Sequence, residues 1–158
     1  MVAAYIDVQM AYRILVPHDG TEMSDKALDK AIEFAKALGA ELILVHVIED
    51  ISVPPTITLA SGDFIGEAKK GIVKHMEMWW DKLAEVKMHE MEDKNVKASS
   101  RCLFGDASER IIRFMQENEV DLVVMGSRRL KGASRIKALG SVARKVSEIA
   151  ECPVLIVH

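Results

Sequence analysis

Cysteine is scarce in this 158-residue sequence, and its two cysteines form no motif. Cys102 and Cys152 share no CxxC spacing, and neither has histidines at the spacing of zinc ligands. This pattern argues against a structural zinc site. It indicates two reduced thiols that serve as small core residues, which fits a cytosolic protein.

Long apolar runs and a clear targeting signal are also missing. No window approaches about 18 uncharged apolar residues, so we expect no transmembrane helix. The N-terminal residues have neither a basic start nor a continuous apolar core, so they do not predict a signal peptide. Acidic residues outnumber basic ones, 24 to 21, and the isoelectric point is near 6.0, which argues against nucleic acid as the main partner.

Several catalytic and nucleotide-binding signatures are absent as well. The turn after the first apolar run has no GxGxxG, which argues against a Rossmann dinucleotide site, and no GxxxxGK[ST] of a Walker-type NTPase occurs. There is no GxSxG elbow, and no cysteine lies in the setting of a nucleophile. No residue stands out as a general base or as a group that positions water, which argues against efficient hydrolytic chemistry.

The sequence does contain an alternation of strand and helix patterns. Its length predicts one domain, which we place at residues 13–158, after a loosely patterned N-terminal arm at residues 1–12. Apolar runs and periodic apolar residues predict five strands, at 13–17, 41–47, 96–104, 122–125 and 154–157, and four helices, at about 24–38, 64–91, from 106 and 141–150. This alternation predicts an α/β fold with an open parallel sheet and helices on both faces. The long connection at 49–63 is typical of a binding loop or a lid.

The stretch from residue 121 to 141 is the main candidate for a binding site. A run of β-formers stops at Gly126, a basic loop follows, and Gly140 and Ser141 precede a helical pattern. Glycines let backbone N–H groups approach an anion, and a helix start adds unpaired donors. Seven basic residues and no acidic one lie between 126 and 145: Arg128, Arg129, Lys131, Arg135, Lys137, Arg144 and Lys145. These features indicate either an anion site of the kind that holds phosphate or a solvated basic loop.

Asp19 is a second candidate, because ligands of open parallel sheets bind at the carboxyl ends of the strands. Its carboxylate could accept hydrogen bonds from ribose hydroxyls or help to hold a divalent cation that bridges phosphates. It could equally form an Asx turn or cap the next helix. For His18 we favour a role in the turn over a contact to phosphate.

Three large side chains are interpreted as core residues rather than as ligands. His46 lies inside the second predicted strand and is expected to have its hydrogen bonds satisfied there. Trp79 and Trp80 are adjacent on the long predicted helix, so their side chains point about 100° apart. We expect one of them to pack on the sheet and the other to lie at the edge.

The sequence resembles the universal stress protein family from about residue 13 to the C-terminus. The resemblance rests on four segments: ILVPHDGTEMSDKALDKAIEFAKALGAELILVHVI, GDASERI, DLVVMGSRR and LGSVARKVSEIAECPVLIV. It implies an adenine nucleotide alpha hydrolase-like sheet of strand order 3-2-1-4-5. It also implies a homodimer, often joined by antiparallel pairing of the last strands, which would protect an exposed edge. That strand is Val154, Leu155, Ile156 and Val157.

One branch of the family binds ATP and another does not. The loop of the ATP-binding branch resembles G-x2-G-x9-G-[ST]. Gly126, Gly140 and Ser141 match its ends, but Arg129 stands at the second glycine, and the spacing to Gly140 is one residue longer. An Arg where positive φ is needed costs about 1 kcal/mol or more, so the loop must follow a different path. Arg128 and Arg129 could replace lost donors through charge-assisted hydrogen bonds, or they could mark a site that has lost ATP.

The resemblance implies a set of residues that bind ATP or AMP together with Mg²⁺ or Mn²⁺. Asp19 would hold the ribose or the metal, and Val47 and Met125 would flank the base. The full set is Pro17, Asp19, Val47, Met125, Gly126, Ser127, Arg128, Arg129, Gly140, Ser141 and Val142. We therefore expect a cytosolic, homodimeric stress-response switch or signalling module that binds an adenine nucleotide and has at most a weak ATPase activity. The alternatives are a dimeric interaction scaffold without nucleotide and a nucleotidyl or phosphoryl transferase, which the missing catalytic residues disfavour.

Overall fold

The computed structural model describes residues 12–50, 64–127 and 139–158. In these residues five strands alternate with four helices. The strands are β1 (Arg13–Pro17), β2 (Glu41–Ile48), β3 (Ala98–Phe104), β4 (Leu122–Gly126) and β5 (Val154–Val157). The helices are α1 (Glu22–Leu38), α2 (Phe64–Asp93), α3 (Ala107–Glu117) and α4 (Ser141–Ile149). The expected N-terminal arm, most of the 49–63 connection and the middle of the basic loop lie outside the described residues.

All five strands are parallel and follow the order β3-β2-β1-β4-β5, which confirms the expected topology. The order reverses at β1, which pairs with β2 on one side and with β4 on the other. The connections that leave the carboxyl ends of β1 and β4 therefore run to opposite faces of the sheet, which leaves a crevice between them.

The two faces of the sheet are covered by different helices. Ile14 and Val16 of β1 pack in one core with residues of α1 and α2, whereas Leu15 packs in the other core with residues of α3 and α4. Successive strand residues point to opposite faces, so a strand that is buried on both sides is apolar throughout. Cys102 and Cys152 are free, half-buried thiols that pack against the two cores, as expected.

The helices begin and end at residues that satisfy their terminal backbone groups. The hydroxyl of Thr21 accepts a hydrogen bond from the backbone N–H of Ser24, so α1 begins earlier than expected. Gly39 ends α1 with a left-handed φ of 64°. Asp106 caps α3 as predicted, with Oδ1 2.9 Å from the backbone nitrogen of Glu109. No helix in the described part of the chain combines the length and the apolarity that crossing a membrane requires.

Candidate functional site

A cleft of about 460 Å³ lies at the carboxyl ends of β1, β2 and β4, beside the first turns of α3 and α4. This volume lies within the range of roughly 300–1,000 Å³ that is typical of small-molecule sites. The predicted site residues that the structure describes all line this cleft except Ser127. They are Pro17, Asp19, Val47, Met125, Gly126, Gly140, Ser141 and Val142. Arg128 and Arg129 lie outside the described residues.

Ser127 follows β4 but does not line the cleft. It is buried, and its backbone N–H donates to the carbonyl oxygen of Val157 at 2.9 Å. Its hydroxyl oxygen lies 2.7 Å from Nδ1 of His158. Ser127 therefore joins the end of β4 to the end of β5.

Asp19 forms a turn that lines the cleft. Its Oδ1 accepts hydrogen bonds from the backbone N–H of Thr21 at 3.1 Å and from the hydroxyl of Thr21 at 2.6 Å. The Asx turn that the sequence left open is therefore present, and Thr21 rather than Asp19 caps α1. Asp19 is exposed, and it lines the cleft as well as forming this turn.

His18 has the turn role that we favoured. Its side chain is buried, Nδ1 accepts a hydrogen bond from the backbone N–H of Gly20 at 3.2 Å, and Nε2 lies 3.1 Å from Oδ1 of Asp25. A backbone N–H can only donate, so Nδ1 is unprotonated and Nε2 carries the hydrogen. Burial lowers the pKa of His18 below its usual value, although the hydrogen bond to Asp25 opposes this shift. The imidazole is therefore neutral at pH 7.

His46 is buried in β2, and only one of its ring nitrogens has a hydrogen-bond partner. Nδ1 lies 2.8 Å from the carbonyl oxygen of His18, so it must be the donor of that bond. Nε2 has no partner among the described residues, which corrects the expectation that this histidine is fully satisfied. The ring stacks on Trp80 at 4.8 Å and meets Trp79 edge-on at 5.5 Å. Trp80 is buried whereas Trp79 is 43% exposed, which confirms the predicted division between them.

The first turn of α4 forms part of the wall of the cleft that Asp19 also lines. Gly140 is the N-cap and has no side chain that could bond to the helix, and Ser141 and Val142 follow it along the cleft. The first backbone N–H groups of a helix have no partner within the helix, and the helix dipole places partial positive charge there. This wall can therefore bind an anion such as phosphate.

The family model for universal stress proteins matches residues 10–158 of this chain. The chain belongs to the universal stress protein family. Universal stress protein YxiE of Bacillus subtilis is 35% identical to it over 153 residues, which cover 94% of this chain and all of the relative. The solved structure of MJ0577 from Methanocaldococcus jannaschii is 26% identical and superposes with a TM-score of 0.74 over 94% of this chain and 96% of that chain.

Two other solved structures of this family contain adenine nucleotides. A universal stress protein solved in complex with cAMP has a TM-score of 0.61 and 22% identity, and covers 94% of this chain and 97% of its own. An Arabidopsis thaliana family member solved with AMP bound has a TM-score of 0.62 and 18% identity, and covers 92% of this chain and 90% of its own. At these identities the comparison shows that this universal stress protein shares their fold.

The cleft of this universal stress protein is lined by two carboxylates, of Asp19 and Glu49, and by no lysine or arginine among the described residues. Lys145, one of the seven basic residues of the predicted anion site, lies 3.5 Å from a carboxylate oxygen of Glu109 and so contacts α3. In the described part of the cleft, attraction for an anion therefore comes from the first turn of α4.

Metal ligands are sparse in this universal stress protein. No group of three or more His, Cys, Asp and Glu residues within 12–50, 64–127 and 139–158 could hold a metal ion. A Mg²⁺ ion keeps several waters and often binds through one or two carboxylates together with phosphate oxygens. The exposed carboxylate of Asp19 is of the kind that this second mode uses.

Several residues of the cleft were not assigned to a site from the sequence. Ala107 and Ile111 of α3 line it, as do Met76 of α2 and Met23 of α1. Ala107 and Ile111 are four residues apart, so they share one helix face, but an apolar pair with this spacing is equally typical of a core. Only the position of each helix above the sheet distinguishes the two roles.

Proposed function

We propose that this universal stress protein binds an adenine nucleotide in the cleft at the ends of β1 and β4. The observation that carries the proposal is that the N-terminus of α4, which has no side-chain cap, and the carboxylate of Asp19 face one cleft. A phosphate suits the first and a ribose hydroxyl suits the second. The AMP and cAMP bound to two proteins of this fold support the same class of ligand.

Each wall of the cleft has a role in this proposal. Val47 is half-buried and Met125 is 5% exposed, so together they offer apolar surfaces to an adenine ring. Asp19 accepts hydrogen bonds from the ribose. The backbone N–H groups of the first turn of α4, from Ser141 onward, donate to phosphate oxygens.

The number of phosphate groups that the site can hold depends on the basic loop. We propose ATP as the ligand, with Arg128 and Arg129 bonding to the outer phosphates in place of the missing glycine turn. A Mg²⁺ or Mn²⁺ ion would be held by Asp19 and phosphate oxygens, and it would neutralise part of the triphosphate charge. AMP lacks the outer phosphates, so its binding requires neither the loop nor the ion. The affinity for AMP therefore reports on the contacts to the base, the ribose and the first phosphate alone.

A thermal melt with Mg-ATP, with AMP and with sulfate, at matched ionic strength, tests this proposal. A ligand at 100 times its Kd stabilises the folded state by about 2.7 kcal/mol. For a domain of this size the expected shift in Tm is roughly 5–11 °C. We expect both nucleotides to raise the Tm and sulfate to have little effect. A shift with sulfate that equals the shift with ATP would show an anion pocket instead of a nucleotide site.

A substitution at Asp19 refines this test. Asp19→Asn keeps an oxygen that can accept from Thr21 but removes the charge, so the turn is retained. We expect it to weaken the binding of Mg-ATP more than that of metal-free AMP. Asp81→Asn, at an exposed carboxylate of α2, is the matched control and should bind as the unchanged protein does. Equal affinities for both ligands in Asp19→Asn and the unchanged protein would remove Asp19 from the site.

We further propose that two copies in the cytosol associate through β5. This strand lies at one edge of the sheet and pairs with β4, and all four of its residues are half-buried and apolar. Pairing with a second β5 would satisfy the remaining backbone groups of the edge. Sedimentation equilibrium should give twice the chain mass of 17.5 kDa. A monomer at micromolar concentration would contradict this part of the proposal.

A dimeric scaffold that binds no nucleotide is the second candidate function. Arg129, at the position of a glycine in the ATP-binding pattern, favours it. Under this alternative the Tm stays unchanged with every nucleotide while the dimer persists. The melts and the sedimentation experiment together therefore distinguish the two functions.

A further inference from the structure

The turn that carries Asp19 is attached to the rest of the fold through His18. The backbone N–H of His18 donates to the carbonyl oxygen of Val45 at 2.8 Å, and its own carbonyl oxygen accepts from Nδ1 of His46 at 2.8 Å. Its imidazole accepts from the backbone N–H of Gly20 and contacts Asp25 of α1. One residue thus joins β2, α1 and the turn.

Two tryptophans of helix α2 lie against the same turn. The ring of Trp80 lies 6.3 Å from the ring of His18. A Cβ atom on Gly20 would lie 2.5 Å from Cη2 of Trp79, and the φ of Gly20 is +79°. Gly20 therefore lies against the indole of Trp79 in a backbone conformation that favours glycine. Its N–H group also donates to Nδ1 of His18, so the residue after Asp19 has contacts with both Trp79 and His18.

We propose that His18 is a positioning residue of the nucleotide site, because its Nδ1 holds the N–H of Gly20 and so fixes the carboxylate of Asp19 in the lining of the cleft. The effect on nucleotide affinity rests on the function proposed above, whereas the effect on the turn does not. The positioning role needs only the acceptor toward Gly20, and the same side chain also donates to Asp25. A neutral imidazole with its hydrogen on Nε2 supplies both.

Two substitutions separate these features. The side-chain oxygen of asparagine can occupy the place of Nδ1, so His18→Asn can keep the bond to Gly20 while it loses the contact to Asp25. His18→Ala loses both. His89 on α2 is 73% exposed in its side chain, so His89→Asn and His89→Ala are matched controls for the same two changes at a remote histidine.

The first measurement is NMR of the ligand-free protein. Long-range nitrogen–proton couplings should show the His18 ring with its hydrogen on Nε2. Hydrogen exchange of the Gly20 amide should be slow in the unchanged protein and in His18→Asn, and faster in His18→Ala. A hydrogen on Nδ1 would overturn the proposal without any variant. So would Gly20 exchange that is unchanged in His18→Ala, or that is equally fast in both variants.

The second measurement is the affinity for AMP by calorimetry. A hydrogen bond of ordinary net strength corresponds to a loss of roughly two- to tenfold, which we expect for His18→Ala, with His18→Asn restoring most of it. The two His89 variants should bind normally. If the unchanged protein binds no nucleotide, the proposed function fails, and Gly20 exchange still decides the role of His18. If AMP binds but His18→Ala binds it equally well, the positioning role fails and the proposed function stands.

Discussion

The carbonyl oxygen of Met23 lies 2.5 Å from the position that a Cβ atom on Gly126 would occupy. The first turn of α1 therefore packs directly on the last residue of β4, with no space for a side chain between them. Gly126 is not among the residues with positive φ, so its smallness rather than its conformational freedom is required here. The glycine that lines the cleft thus also sets the distance between α1 and the sheet.

Gly126→Ala should destabilise the protein. The new methyl group would meet backbone atoms of Met23, which cannot rotate away, and overpacking of this kind costs about 1–3 kcal/mol. Gly71→Ala is the matched control, because Gly71 lies within α2 with nothing within 4 Å of the added atom. It should stabilise the fold by about 0.5–1 kcal/mol. Urea denaturation of both variants checks these opposite signs, and equal effects would contradict the packing at Gly126.

Substitution of the two adjacent tryptophans should have unequal effects. Trp80 is 2% exposed and stacks on His46, so Trp80→Ala should lower the free energy of unfolding by about 3–5 kcal/mol. Trp79 is 43% exposed, so Trp79→Ala should cost clearly less. Urea denaturation followed by circular dichroism measures both without using the indole signal. Similar costs would show that Trp79 is buried in solution.

Acidification from pH 7 to pH 5 should lower the stability of the protein through His18. Burial holds the pKa of His18 in the folded protein below 6.5, so the unfolded chain binds the proton more tightly. The contribution of neutral His18 is therefore complete above about pH 6.5 and is lost as the pH falls below that value. The pKa of Asp25 is also lowered: burial alone would raise it, but hydrogen bonds from Lys87 and His18 outweigh burial.

Protonation of Asp25 lowers the stability of the fold in a lower pH range than protonation of His18 does. A carboxylate with a lowered pKa stabilises the fold above about pH 3.8 and loses this effect below it. Urea denaturation at pH 5, 6 and 7 should therefore show that the free energy of unfolding falls less steeply with decreasing pH in His18→Asn than in the wild-type protein. An unchanged slope in that variant would assign the effect to other histidines.

Cys102 should resist alkylation in the folded protein. Burial and the nearby carboxylates of Glu77 and Asp81 raise the pKa of its thiol to about 11. At pH 8 only about one thiol in a thousand would then be the reactive thiolate. Mass spectrometry after timed treatment with iodoacetamide should show slow labelling of Cys102, and fast labelling once urea unfolds the chain. Equal rates in both states would contradict the raised pKa.

The strand and helix elements could be predicted from local patterns because each carries its own signal. The apolar runs of β1 and β5 and the cap at Asp106 fall where the sequence placed them. The boundaries were less well determined. The helix α1 was expected to start at about residue 24, but Thr21 caps it, because a side chain at either position can bond to a nearby backbone N–H group.

The candidate site was only partly predictable. Family-like motifs predicted Asp19, Met125 and Gly140, which the fold brings to one cleft. Ser127 was assigned to the same site, but it is not among the residues that line the cleft, and its hydroxyl lies 2.7 Å from Nδ1 of His158. The motif shows only that a serine follows Gly126. The direction of its hydroxyl depends on His158 at the end of β5, which is distant in sequence.

The sequence by itself determined the succession of strands and helices along the chain, the parallel sheet and the start of α4 at Ser141, since these follow from apolar periodicity and local turn chemistry. The tertiary structure alone decided that His46 bonds to His18, that Trp80 stacks on His46 and that Met23 packs on Gly126. These contacts join residues from separate elements, and their geometry depends on how α1 and α2 lie on the sheet. No short window of sequence contains that information, because packing is decided by the shapes of both partners at once.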